Sequence, residues 1–210
     1  DCDLERLERL SQTYNNSSSK VLVNYHRRFQ PAIQNLKSVF EKLLSEDVCK
    51  TIVITYQRGF HNNCSHAIDL IEFLFSSEFD FGNASISNWK NDEFVDDPTA
   101  SVFCEWRNIN VHIIGLEDSK FSYFDLAFYF ENSMVLLKDG AQEIQIHATP
   151  ESGGVRYPFP ILIDKTTGAI NDYMKFVVFH AKKLLTGDIQ QDNFVSSIKI
   201  SKKMLELMRE

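Results

Sequence analysis

His61-Asn62-Asn63-Cys64-Ser65-His66-Ala67-Ile68-Asp69-Leu70 packs two imidazoles, two amides and a carboxylate into ten residues. An imidazole changes charge near neutral pH and serves as a general acid or base, and an amide beside it can orient a hydroxyl without taking its proton. Asn62 and His66 are four residues apart, so a helical turn beginning near Asn62 puts both on one face. The same residue types also suit a helix cap or a solvated surface, and chemistry alone leaves both readings open.

The flanking sequence says how such a cluster is held. Thr51-Ile52-Val53-Ile54-Thr55-Tyr56 is β-branched and aromatic, as a strand requires, and Gly59 breaks it. Ile68, Leu70, Ile71, Leu74 and Phe75 follow at helical spacing, and Ser65 is placed to cap that helix. The cluster therefore sits at a strand-to-helix junction. Ahead of it, Leu4, Leu7 and Leu10 form a helical stripe, residues 15–19 a loop, and residues 21–25 an apolar strand. Together they resemble the last α–β step of a parallel sheet. Pro31 opens a second helix through Ile33, Leu36, Val39, Phe40, Leu43 and Leu44. Beyond residue 84 come apolar runs joined by turn signals at Arg107-Asn108, Glu131-Asn132 and Asp139-Gly140, which imply an antiparallel meander. From Ile170 the period is helical until Gly187, and a last helix runs from about residue 192 to 208. The expected fold is α+β: an open, mainly antiparallel sheet with helices on one face, preceded by that α–β unit.

Composition narrows the classes. The chain has 210 residues, 43% of them hydrophobic, 17 of them Phe, and a net charge of -7. This suits a core of ordinary size and argues against a nucleic-acid partner, which calls for a basic face. No apolar run reaches the ~20 residues of a membrane span. Cys2, Cys49, Cys64 and Cys104 show no CxxC pairing, so no metal site is expected, and free thiols point to a reducing compartment such as the cytoplasm. Glycosylation sequons at Asn15, Asn16, Asn63 and Asn83 are the counter-signal for a secreted protein.

Val23-Asn24-Tyr25-His26-Arg27-Arg28-Phe29, Pro31, Tyr56-Gln57-Arg58-Gly59, the block around His66, and Asp97-Pro98-Thr99-Ala100 occur in an order that resembles the glucose–fructose oxidoreductase/inositol dehydrogenase (Gfo/Idh/MocA) family. The resemblance runs nearly the whole chain and is most specific around His66. It implies an NAD(P)-dependent oxidoreductase of two domains. Residues 1–25 would be the end of a dinucleotide-binding Rossmann domain, and residues 26–210 the substrate-binding and oligomerisation domain. It further implies His66 as acid or base at the substrate carbinol, with Asn62 standing where many members have aspartate. Arg28, Arg58, His61 and Asp69 would line the substrate site, and Asn24 and Tyr25 would lie near the nicotinamide. The Asn62 variant resembles that of members linked to surface-polysaccharide and nucleotide-sugar pathways, so the expected substrate is a sugar-type alcohol.

The family's glycine-rich fingerprint and Glu-Lys-Pro motif are not in these residues, so no NAD or NADP is expected to bind this chain alone. Self-association is expected through the open, aromatic-rich sheet face. The alternative class is a non-catalytic binding or assembly module on the same fold.

Overall fold

A computed structural model describes residues 3–90, 94–150, 158–190 and 192–209. Eight strands form one sheet: β1 (Cys49–Tyr56), β2 (Ser85–Lys90), β3 (Thr99–Trp106), β4 (Ile109–Gly115), β5 (Phe124–Phe130), β6 (Ser133–Lys138), β7 (Glu143–Ala148) and β8 (Ile161–Thr167). Their spatial order is β2-β3-β4-β1-β5-β6-β7-β8. β1 runs parallel to β4, and the other described pairings are antiparallel. The meander is therefore split at its middle by an earlier strand. Arg107 (φ 54°) and Asn108 (φ 63°) make the β3–β4 turn in the left-handed region that a two-residue hairpin needs.

Five helices complete the described chain: α1 (Leu4–Asn15), α2 (Pro31–Glu46), α3 (Ser65–Phe75), α4 (Tyr173–Thr186) and α5 (Phe194–Leu207). Alternation in the strands decides which face the helices cover. Ile52, Ile54 and Tyr56 of β1 are fully buried on one side. On that side the Phe40 ring of α2 meets Phe128 at 4.9 Å, and Phe75 of α3 meets Trp106 at 5.1 Å. The other side carries Phe103, Ile114 and Tyr129, each about 41–42% exposed.

Two expectations need correction. Residues 21–25 form no strand. An isolated strand leaves its polar backbone unpaired, and here side chains take that role: Asp192 accepts from the Val21 N–H at 2.9 Å, and Asn193 bonds both the N–H and the carbonyl of Val23. Ser65 is not a helix cap, because a π-turn (Phe60–Cys64) already precedes it and Ser65 is itself helical. β8, at the edge of the sheet, is exposed on both sides. Cys49, Cys64 and Cys104 are free and buried; Cys2 lies outside the described residues.

Candidate functional site

The strand-to-helix junction is built on one glycine and one carboxylate. Gly59 has φ +83°, and a Cβ placed on it would stand 2.3 Å from Asp97 Oδ2. That close approach lets the Asp97 carboxylate accept the N–H groups of His61 (2.7 Å) and Asn62 (2.6 Å). Pro98 O accepts from Phe60 N at 2.8 Å and Thr99 Oγ1 from Gly59 N at 3.2 Å. The free N–H groups that begin any helix are thus satisfied from a distant loop. The π-turn that results turns the His61, Asn62 and His66 side chains to one side. π-turns often occur at functional sites.

These three residues line a cleft of about 640 Å³, together with Asn24, Tyr25, His26, Ser65 and Tyr173. α1 and α5 close it with Leu7, Leu10, Phe194, Ser197, Ile198 and Ser201. The Tyr25 ring stands edge-on to His66 at 5.0 Å, and His26 lies 5.6 Å from His66. His61 Nε2 and His66 Nδ1 are buried and have no hydrogen-bond partner. Buried polar atoms are seldom left that way unless something is to meet them.

Burial lowers the His66 imidazole to a pKa of about 3, with Arg27 and His26 adding to the effect. Burial likewise lowers His26, helped by Arg27, and His61, each to about 4. All three rings are neutral at pH 7. The Tyr25 hydroxyl is pushed up to about 12, chiefly by burial. An unfolded histidine takes its proton near pH 6.5, whereas these stay neutral in the fold down to about pH 4. Their contribution is fully present above pH 6.5 and is lost as pH falls toward 4. Asp69 opposes them: burial raises its carboxyl to about 7 while Arg28 pulls it back, so Asp69 weakens the fold as pH rises from about 4 to 7. His180 is lowered by burial as well, while burial raises Glu72 and Asp125; with the imidazoles dominating, the melting temperature is expected to be higher at pH 7 than at pH 5. A flat or inverted dependence in thermal unfolding would refute this balance.

Of the residues expected to act, His61, Asn62, His66, Asn24 and Tyr25 converge on the cleft. Arg28 and Asp69 do not. Arg28 Nη1 binds Asp69 Oδ1 at 2.6 Å, with the Asp69 side chain only 2% exposed, and Arg28 borders a separate hollow with Glu72, Glu78 and Lys199. A buried carboxylate needs such a cation, and this pair ties α3 to the turn before α2. Arg58 is exposed at φ 62° in the bend before Gly59, and its carbonyl accepts from Asn62 Nδ2 at 3.3 Å. Sequence reasoning missed the cleft-lining His26, Tyr173 and Ser201, and it saw Asp97 only as part of a motif. The sequon residue Asn63 donates its amide to Gln57 O at 2.7 Å, so a glycan there would displace a structural hydrogen bond.

A glycine-bearing strand-to-helix junction is where α/β proteins commonly hold a pyrophosphate. Here the amides are already taken by Asp97, whose carboxylate would repel an incoming phosphate. The junction does not fit the phosphate end of a dinucleotide. Among the described residues no three His, Cys, Asp or Glu side chains converge as metal ligands, and no helix is long and apolar enough to cross a membrane.

No protein-family sequence model and no curated protein sequence matches the chain. Its fold is that of solved structures of Gfo/Idh/MocA type. A super-repressor mutant of Gal80p from Saccharomyces cerevisiae superposes with a TM-score of 0.74 at 11% identity, over 99% of this chain and 67% of that one. UDP-N-acetylglucosamine 3-dehydrogenase GnnA from Acidithiobacillus ferrooxidans gives 0.69 at 10% identity, over 98% and 66%. A levoglucosan dehydrogenase in complex with NADH and L-sorbose gives 0.67 at 12% identity, over 96% and 67%. The chain thus spans about two thirds of the length of each.

Proposed function

We propose that this chain is the substrate-binding portion of an NAD(P)-dependent oxidoreductase acting on a sugar or nucleotide-sugar type alcohol in the cytoplasm. The observation that carries the reading is the convergence of His61, Asn62, His66, Asn24 and Tyr25 on one cleft with two unpartnered imidazole nitrogens. Residues 1–25 belong, in this reading, to the end of a dinucleotide-binding domain that holds the cofactor away from the Asp97 junction. The fold shared with dehydrogenases of sugars and a nucleotide sugar supports it.

His66 manages the substrate proton. Neutral at pH 7, it is in the form that accepts a hydroxyl proton, and Asn62 orients the hydroxyl by hydrogen bonding. Asn62 leaves His66 without a carboxylate partner in the described cleft. The ring depends on the bound substrate for any rise in basicity.

That missing carboxylate favours a second reading, a non-catalytic sugar-binding module, which the likeness to a repressor also supports. Assay of the full-length protein for alcohol-dependent NAD(P) reduction across sugars and nucleotide sugars separates the two. Turnover with at least one is expected; saturable binding without turnover would favour the module.

The open sheet face is the proposed self-association surface. Phe103, Ile114 and Tyr129 lie on it, in rows shared with Val53, Met134 and Leu136. Contiguous exposed apolar area usually marks an interface. Sedimentation is expected to show a dimer or larger species at tens of micromolar, roughly where a weak interface still holds; monomer alone would count against it.

A further inference from the structure

We infer that self-association through the open sheet face is gated by the protonation of His112: the face closes on a second copy of this chain at neutral pH and opens in acid. The inference rests on the self-association reading above and names how that surface is regulated.

The register of the sheet shows what the face offers. Residues directly opposed on neighbouring strands point to the same side. Phe103 of β3, His112 of β4, Val53 of β1, Ala127 of β5 and Leu136 of β6 are opposed in turn, so they form one row across the open face. Beyond β6 the face turns polar: His147 bonds Gln145 at 3.1 Å and Lys165 pairs with Glu143 at 2.7 Å. Within the row, the small Val53 and Ala127 lie between the larger Phe103 and His112 on one side and Leu136 on the other. That leaves a shallow trough between two ridges, and a copy related by a two-fold axis presents the same relief to it. Strands of six to eight residues, eight abreast, give a face of about 700 Å², near the ~800 Å² per partner of a standard interface. The domain outside this chain is not the occupant in that reading, because it joins through α1, which packs with α5 on the helical side.

His112 is exposed in the single chain, its ring 4.9 Å from that of Phe103. Its other direct neighbour is Val53, and among its diagonal neighbours on β3 and β1 only Glu105 ionises. Glu105 stands one row away, opposite Asn110. A facing copy brings the same side chains. Its acids beyond Glu105 are already engaged, Glu143 by Lys165 and Asp125 by the Asp139 N–H at 2.8 Å, and its Lys138, Lys165 and His147 offer an imidazolium no attraction. Closing the face strips water from His112 in apolar surroundings. Desolvation disfavours a charged ring, whereas a neutral one packs against Phe103 without that cost. The ring must therefore shed its proton before the face closes, and imidazoles do so within the physiological range. A two-fold pair carries the group twice, so the effect is doubled.

The test is sedimentation velocity of the full-length protein at about pH 7.5 and about pH 5.5, on either side of the imidazole range. Association is expected to be at least about tenfold weaker at the lower pH. His112→Phe is expected to associate equally at both, and His112→Lys at neither. His147→Gln, in the polar half of the face, is expected to keep the dependence of the unmodified protein. Association as strong or stronger in acid, a dependence that persists in His112→Phe or vanishes in His147→Gln, or a His112→Lys protein that still associates would overturn the inference and leave the sheet-face reading standing. Monomer alone at both pH values, in the unmodified protein and in His112→Phe, would overturn both.

Discussion

His66→Ala in the full-length protein is expected to lower turnover about 10²–10⁴-fold, the usual cost of losing a general acid or base, with cofactor affinity nearly unchanged. The split follows from placement. His66 lines the cleft between the π-turn, α1 and α5, whereas the helix start that could have held a pyrophosphate is closed by Asp97. The ring is half-buried, carries an unpartnered Nδ1 and stands neutral at pH 7. Asn62→Ala is expected to cost less, because an amide can orient a hydroxyl but cannot exchange its proton. Asn62→Asp should raise the His66 pKa from about 3, since a nearby carboxylate favours the charged ring. Steady-state kinetics and imidazole NMR read these outcomes. Full turnover in His66→Ala would reduce the ring to a packing group against Tyr25.

Gly59→Ala is expected to be the most destabilising small substitution at the junction, by about 3–5 kcal/mol, from a strained backbone and lost capping together. The new methyl would meet the Asp97 carboxylate at 2.3 Å, and φ +83° disfavours any residue with a side chain. The carboxylate cannot retreat without releasing the N–H groups of His61 and Asn62. Asp97→Ala removes the acceptor but leaves the backbone unstrained, and should cost about 1–3 kcal/mol. Urea unfolding measures both. A loss below about 1 kcal/mol for Gly59→Ala, less than a typical cap, would show that the junction can relax around the methyl.

Much of this architecture was legible because its signals are local. Pro31 starts α2, Arg107-Asn108 turns β3 into β4, and Gly187 (φ 82°) ends α4. Each depends on a few adjacent residues. What escaped was set by contacts distant in sequence. β1 lies beside β4 in parallel register, Thr51 opposite Asn110 and Ile54 opposite Ile113, although they are far apart along the chain. Residues 21–25 have the composition of a strand, but Asp192 and Asn193 take up their backbone groups.

The site divides along the same line. His61, Asn62 and His66 were visible as one block because a helical turn brings them together. Asp97 caps that turn across 36 residues, and α5 supplies Ser197 and Ser201 from the far end of the chain. Arg28 and Asp69 were misjudged for a physical reason. Charged residues near a polar cluster look like substrate contacts, yet here the buried Asp69 carboxylate is held by Arg28 at 2.6 Å, away from the cleft.

Crystals of this chain soaked with a sugar or a nucleotide sugar test the central claim most directly. The account predicts density for the ligand in the cleft of about 640 Å³, with its hydroxyls against the His61, Asn62 and His66 side chains that line it. Ligand density elsewhere on the chain, with both imidazoles unmoved and this cleft holding only solvent, would contradict it.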